Sequence, residues 1–160
     1  MGRFGSMRKL TFLKVILLVF VVSFCLTSII VSVYSASWSW IRVPSPTTNI
    51  LRDVHMVNST DGWAVGTEGT IIRWDGTSWK NVTSPTTAQL WSVDMVGTNE
   101  GYAIASETAR PLTESVIRWD RTSWTNITTP SGHFYSVDMV SSTDGWAVGS
   151  DGVIIHWDGT

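Results

Sequence analysis

The chain has one cysteine, Cys25, and it falls inside a long apolar run, so disulfides contribute nothing to whatever folds after that run. A lipid-modified bacterial cysteine follows a small residue; Phe24 stands there instead, and Cys25 reads as a small apolar member of the run. Charge is missing altogether from Val15 to Ile41. Lysine is nearly missing beyond it: Lys80 is the single example, and seven basic residues there meet all 13 acidic ones, a net charge near −6. A nucleic-acid binder needs a basic face for phosphates, so that class of function is excluded. His133 and His156 have no metal-ligand spacing around them, and neither a metal nor a cofactor is implied.

The charge-free run divides the chain. Arg3, Arg8, Lys9 and Lys14 form a basic flank within residues 1–14. Val15 to Val33 then supplies 19 mainly apolar residues, close to the roughly 20 that a helix needs to cross the hydrocarbon core. Residues 15–35 therefore read as a transmembrane anchor or signal segment. The basic flank stays in the cytoplasm and everything after Ser35 is sent outside. Ser35, Ala36 and Ser37 would suit a signal peptidase, but the run is longer than the 7–15 residues of a signal core, which favours an uncleaved anchor. The expected location is the cell membrane with the remainder on its extracytoplasmic side, or secretion.

That remainder, residues 38–160, is one unit repeated. VHMVNSTDGWAVG from Val54 returns as VDMVGTNEGYAIA from Val93 and as VDMVSSTDGWAVG from Val137, at spacings of 39 and 44 residues. IIRWDGTSWKNVTSP from Ile71 returns as VIRWDRTSWTNITTP from Val116 and begins again at Ile154. The longer second unit carries an insertion, Ser106 to Ser115. A period near 40 points to a repeat architecture.

Alternation predicts strands over 52–57, 63–66 and 70–74 and a fourth from Trp79 that ends before Pro85. Asp61-Gly62, Asp75-Gly76, Asp144-Gly145, Asp151-Gly152 and Asp158-Gly159 are expected in tight turns that need positive φ. Four antiparallel strands per repeat make a propeller blade. The fold class is all-β, a partial β-propeller of about three four-stranded blades after an N-terminal hydrophobic helix. Residues 38–46 are expected as an outer strand, 51–87 and 90–130 as blades and 134–160 as an incomplete blade. Trp40 stands 14 residues before Val54, as Trp79 does before Val93, which is why the lead-in reads as an outer strand. Three blades are too few to close a ring, since propellers have typically 4–8. An open stack leaves two apolar faces in water. A part of a longer propeller is expected, with self-association into a larger ring as the alternative.

The unit resembles the repeats of the photosystem II assembly-factor-like and Asp-box (BNR) propellers of exported proteins. The resemblance lies in the V-x-M-V strand, the DGWAVG segments at Asp61 and Asp144, the G-T-I-I segment at Gly69, and the Asp hairpins leading into Trp79 and Trp124. It covers about residues 38–160. An Asp-box reads S-x-D-x-G-x-T-W, and Asp75-Gly76-Thr77-Ser78-Trp79 is one residue shorter between Asp and Trp. The Trp-Asp pairs are similar to those of WD repeats, but here a Trp-initiated strand follows at once.

Asp-box propellers include sialidases, which use an arginine cluster, a tyrosine nucleophile and an acid. Tyr102 and Tyr135 occupy repeat positions that read as packing, and Arg73 and Arg118 are repeat equivalents on one blade surface, so a sialidase-like hydrolase is the least favoured reading and no residue is assigned as catalytic. Trp63 and Trp146, Trp74 with Trp119 and Trp157, and Trp79 with Trp124 recur in register and read as core. His55, Asp94 and Asp138 share one position of the first strand. Were that strand innermost they would line a central channel, where carboxylates can hold a cation; a solvated polar position is the other reading. Trp91, matched by Tyr135 and Arg52, is a surface candidate. With Glu107, Arg110 and Glu114 of the insertion it makes the candidate partner-binding set. Asn58, Asn81 and Asn126 head N-glycosylation sequons. The expected function is a non-enzymatic binding or scaffold module whose partner is a protein or a surface glycan. The resemblance implies the alternative, an assembly or maturation factor for a membrane protein complex.

Overall fold

The computed structural model describes residues 39–106 and 114–160. The apolar segment 15–35 and the insertion residues Glu107 and Arg110 lie outside the described residues, and for Glu114 only the backbone is described. Among the described residues no helix is long and apolar enough to cross a membrane. The chain divides into Met1–Arg42 and Val43–Thr160, and the strands among the described residues belong to the second unit.

Three antiparallel meanders follow one another. The first sheet has the order β1 (Leu51–Asn58), β2 (Asp61–Gly66), β3 (Ile71–Trp74), β4 (Trp79–Val82). The second repeats it with β5 (Gln89–Met95), β6 (Gly101–Ser106), β7 (Glu114–Trp119) and β8 (Trp124–Ile127). The third holds β9 (Phe134–Ser141), β10 (Asp144–Gly149) and β11 (Ile154–Trp157). The first and second sheets meet mainly through their first strands, β1 against β5, and β9 of the third packs against both β5 and β6 of the second.

Two turn expectations need correction. Asp61-Gly62 and Asp144-Gly145 do not form turns; they open β2 and β10. Their glycines leave room for a neighbour: a Cβ on Gly62, Gly101 or Gly145 would meet the sulfur of Met56, Met95 or Met139 on the neighbouring strand and make that flexible side chain shift. Asp75-Gly76 behaves as expected. Gly76 has φ 91°, and the Asp75 carboxylate accepts the Thr77 and Ser78 backbone N–H groups, each at 2.9 Å, and the Thr77 hydroxyl at 2.7 Å. Asp120 holds Thr122 and Ser123 in the same way.

The lead-in is also different from expectation: residues 39–50 contain no strand. Pro44 and Pro46 have no N–H to give a ladder. The Thr47 and Asn49 N–H groups go instead to the hydroxyls of Ser45 and Thr47, at 3.3 and 3.0 Å. The third sheet accordingly has three strands.

The core lies between the sheets. Trp63, Val65 and Ile71 of the first pack on Leu90, Val93, Ala103, Ile117, Trp119 and Trp124 of the second. Trp63 meets Trp119 at 4.8 Å and Trp124 edge-on at 5.4 Å between ring centroids. On its other face the second sheet presents Tyr102, Ile104 and Val116 to Phe134, Val137 and Ala147 of the third. The second sheet is thus buried on both sides. The first and third are covered on one side only, and this corrects part of the expected core. Trp146 is exposed, and Trp74, Trp79 and Trp157 are only half-buried. Tyr135, expected as packing, is exposed too.

Truncating Trp63 should therefore be severe. We expect Trp63→Ala to lose about 3–5 kcal/mol in urea denaturation. Trp63→Phe should lose much less, because the buried indole N–H it removes has no hydrogen-bond partner. An equal loss from both would contradict this packing. The Asp hairpins predict an acid response. The Thr122 hydroxyl, then the Ser123 and Thr122 N–H groups, hold the Asp120 carboxyl at about 2, below the ordinary value of about 3.9. A depressed folded-state pKa gives stability that is fully present above about pH 4 and is lost as pH falls toward 2. The urea midpoint should fall over that window, and less steeply in Asp120→Asn.

Candidate functional site

Each sheet carries the same irregularity in its first strand. In β1, Leu51 pairs with Gly66 and Asp53 with Val65, which leaves Arg52 as an extra residue. In β5, Leu90 pairs with Ala105 and Ser92 with Ile104, leaving Trp91. In β9, Phe134 pairs with Gly149 and Ser136 with Val148, leaving Tyr135. A bulge of this kind breaks strand alternation and re-aims the side chain of the extra residue. Three in register build a ladder across the sheets. The Arg52 guanidinium lies over the Trp91 ring at 4.0 Å, and Trp91 meets Tyr135 edge-on at 5.8 Å. Arg52 also donates to Gln89 Oε1 at 2.5 Å. Arg52 and Tyr135 are exposed, while Trp91 is half-buried and also packs against the core between the second and third sheets, so the ladder is a surface anchored on the core at its middle member.

Further along the same strands lie His55, Asp94 and Asp138. The structure joins the first two: His55 Nδ1 is 2.7 Å from Asp94 Oδ1, across the first and second sheets. Asp94 Oδ2 accepts the Met139 N–H of the third sheet at 2.6 Å. Asp138 is exposed, and among the described residues nothing bonds its carboxylate. Asp53 makes a similar link, accepting the Val93 N–H at 2.9 Å. These polar groups fasten one sheet to the next. Among the described residues no three His, Cys, Asp or Glu side chains converge as a metal site.

The remaining candidates are dispersed. Asn58, Asn81 and Asn126 are exposed; Asn58 Oδ1 accepts the Thr60 N–H and hydroxyl, each at 2.8 Å, within its own sequon. Glu114 opens β7 opposite Ser106, at the base of the insertion. A cavity of about 100 Å³ between the second and third sheets, lined by Tyr102, Val116, Ile127 and Trp157, is smaller than the roughly 300–1,000 Å³ of ligand pockets.

One repeated device escaped the sequence. Arg73 bonds Asp61 at 2.8 and 3.0 Å, Arg118 bonds Glu100 at 2.9 and 2.6 Å, and His156 sits 2.9 Å from Asp144. Each is the same pair of repeat positions, and pairing with the carboxylate raises both arginine pKa values. The signal was present as a basic residue directly after the Ile71-Ile72, Val116-Ile117 and Ile154-Ile155 pairs, and an acid directly before Gly62, Gly101 and Gly145. Tyr102 donates to the same Glu100 at 3.0 Å, and burial raises its pKa.

Sheets of this kind, stacked through their first strands, define a β-propeller segment. Comparison with solved structures agrees: YCF48 bound to D1 peptide aligns with a TM-score of 0.61 and 22% identity, over 74% of this chain and 40% of that one. YCF48 from Cyanidioschyzon merolae aligns with a TM-score of 0.62 and 22% identity, over 76% of this chain and 41% of that one. The chain therefore spans about two fifths of the length of these structures. No family model and no curated protein matches the chain.

Asp94 links three sheets, which makes it the most sensitive polar position described. Asp94→Ala should lose about 1–3 kcal/mol in urea denaturation, because it orphans the Met139 N–H. A change within about 0.5 kcal/mol, as at an ordinary surface site, would remove it from that role.

Proposed function

We propose that this chain is a non-enzymatic binding propeller, that its contact surface is the ladder Arg52, Trp91 and Tyr135, and that its partner is an extended protein segment. The observation that carries this is the coincidence of three bulges. The fold sets an arginine and two aromatics side by side, with Arg52 and Tyr135 exposed and Trp91 half-buried against the edge of the core between the second and third sheets. Arginine, tryptophan and tyrosine are the residues most enriched among interface hot spots. A guanidinium held over an indole keeps N–H groups for a carbonyl or carboxylate, while the rings supply apolar area.

The non-enzymatic reading has its own support. Arg73 and Arg118 are each engaged by a carboxylate of their own sheet, and Tyr102 is buried. A similar fold is seen in YCF48 with a D1 peptide bound, which favours a protein segment over a glycan. With the resemblance of the repeats to assembly-factor-like propellers, this makes assembly or maturation of a membrane protein complex the finer form of the proposal. The apolar segment 15–35 would hold the ladder on the extracytoplasmic side.

The test is affinity capture of the full chain from detergent-solubilised host membranes, with Arg52→Ala and Trp91→Ala variants in parallel. A protein should co-purify, and each variant should retain at least 10-fold less of it at unchanged fold, as read by circular dichroism. Equal capture by the variants would remove the ladder. Binding to isolated surface glycans, with no protein retained, would replace the protein partner. Protease added outside right-side-out vesicles should digest the repeats; protection would overturn the export reading.

A further inference from the structure

The three sequons are not equivalent in the folded chain. Asn81 pairs with Ile72 within the β3–β4 ladder, and Asn126 pairs with Ile117 between β7 and β8. An extended strand rises about 3.3 Å per residue, which carries the third residue of a sequon away from the asparagine amide. Asn126 Oδ1 accepts the Ser115 hydroxyl of the neighbouring strand instead, at 3.3 Å. Asn58 is different. It ends β1, where the register shifts after Met56, and Asn58-Ser59-Thr60 turns the chain into β2. Its Oδ1 accepts both the N–H and the hydroxyl of Thr60, each at 2.8 Å, an Asx-turn. Only the amide oxygen is engaged: among the described residues nothing bonds Nδ2, and all three residues of the sequon are exposed.

The repeat shows that this turn does not need asparagine. The Trp74 indole N–H donates to the Ser59 carbonyl at 3.1 Å, and a Cβ on Gly76 would stand 3.1 Å from Thr60 Cβ and from its methyl. The third sheet makes the same turn with Ser141-Ser142-Thr143. There Trp157 donates to the Ser142 carbonyl at 3.0 Å, and the Ser141 hydroxyl accepts the Thr143 N–H at 3.2 Å. The second sheet has Gly97-Thr98-Asn99 at this place. Serine and glycine thus serve the fold as well, and Asn58 supplies an amide that the turn does not require.

We infer that Asn58 is a glycan attachment site and that Asn81 and Asn126, held in their ladders, are not. The attachment rests on the extracytoplasmic placement of the repeats proposed above, because sequons are used in exported chains. The donor is an oligosaccharide carried on a lipid phosphate. Asn58 Nδ2 forms a bond to the anomeric carbon of the first sugar, the bond from that carbon to the phosphate oxygen breaks, one amide proton is released, and the lipid phosphate leaves with the electron pair. The Asx-turn suits this step. It holds the amide oxygen, leaves the nitrogen free and keeps beside it the hydroxyl that defines a sequon. β4 or β8 would first have to leave its ladder to take up the same bend. Position agrees with the proposed contact surface: Arg52 and Asn58 lie near opposite ends of β1, roughly 20 Å apart at about 3.3 Å per residue, so a sugar at Asn58 leaves the ladder open.

The test is peptide mass spectrometry of the full chain purified from its host's membranes, with Asn58→Ser and Thr60→Ala variants, and with protease added outside right-side-out vesicles. The peptide that holds Asn58 should carry an oligosaccharide mass at least 10-fold more often than those that hold Asn81 or Asn126. Both variants should lose it, Asn58→Ser with an unchanged circular dichroism spectrum, because serine already makes this turn in the third sheet. A bare Asn58 in a chain that the outside protease digests overturns the inference and leaves the export reading standing. A bare Asn58 in a chain that the protease spares overturns both. Equal occupancy of the three asparagines also overturns it, since the folded geometry would then have no part in the choice.

Discussion

Sheet-on-sheet packing through tryptophan is the interaction on which the rest of this molecule depends. A four-stranded meander of about 35 residues has too little interior of its own, and only its stacking on a neighbour takes Trp63, Trp119 and Trp124 out of water. Aromatic pairs in tilted and edge-on geometry contribute about 0.5–1.5 kcal/mol beyond the area they bury. The polar links between sheets are subordinate to that contact. They set the angle and the register: Asp53 to the Val93 N–H, His55 to Asp94 and Asp94 to the Met139 N–H all act at the first strands, where the sheets are nearest.

The bulges follow from the same arrangement. A regular first strand would turn every second side chain into the packed interfaces and leave no row of its own for contact with anything else. The extra residue near the start of each first strand releases Arg52, Trp91 and Tyr135 from that alternation; β1 and β9 carry a second shift further along, after Met56 and Met139. The surface proposed for binding is in this sense a by-product of strand register, tied to the core only through Trp91.

Much of the fold was legible because its determinants are local. The hairpins that carry the Asp75 and Asp120 side-chain bonds announce themselves in the residues that make them, and a strand beginning at Trp79 or Trp124 follows directly. The Asp61-Gly62 pair differs from expectation because the same dipeptide serves a turn in one place and a close contact in another; the contact is with Met56, six residues from Gly62 in sequence and adjacent to it only across the strands. The bulges were harder still, since an extra residue does not alter the look of a short alternating strand. Their trace was the uneven column of Arg52, Trp91 and Tyr135. Trp146 shows a different limit. Repeat register tells which face a side chain lies on, while its burial depends on whether another sheet arrives there.

The glycine–methionine contacts have a consequence for how such a chain can change. Gly62 with Met56, Gly101 with Met95 and Gly145 with Met139 form the same clasp in each sheet, and no larger residue can replace the glycine unless its methionine gives way at the same time. The end of the methionine side chain can swing aside, so each pair of positions is coupled through that one movable contact. The bulge carries no such obligation, and its three copies already hold three different residues. One unit thus contains a coupled pair that repeats in each sheet and a bulge whose residue differs in each, so specificity can be varied blade by blade on a repeated frame.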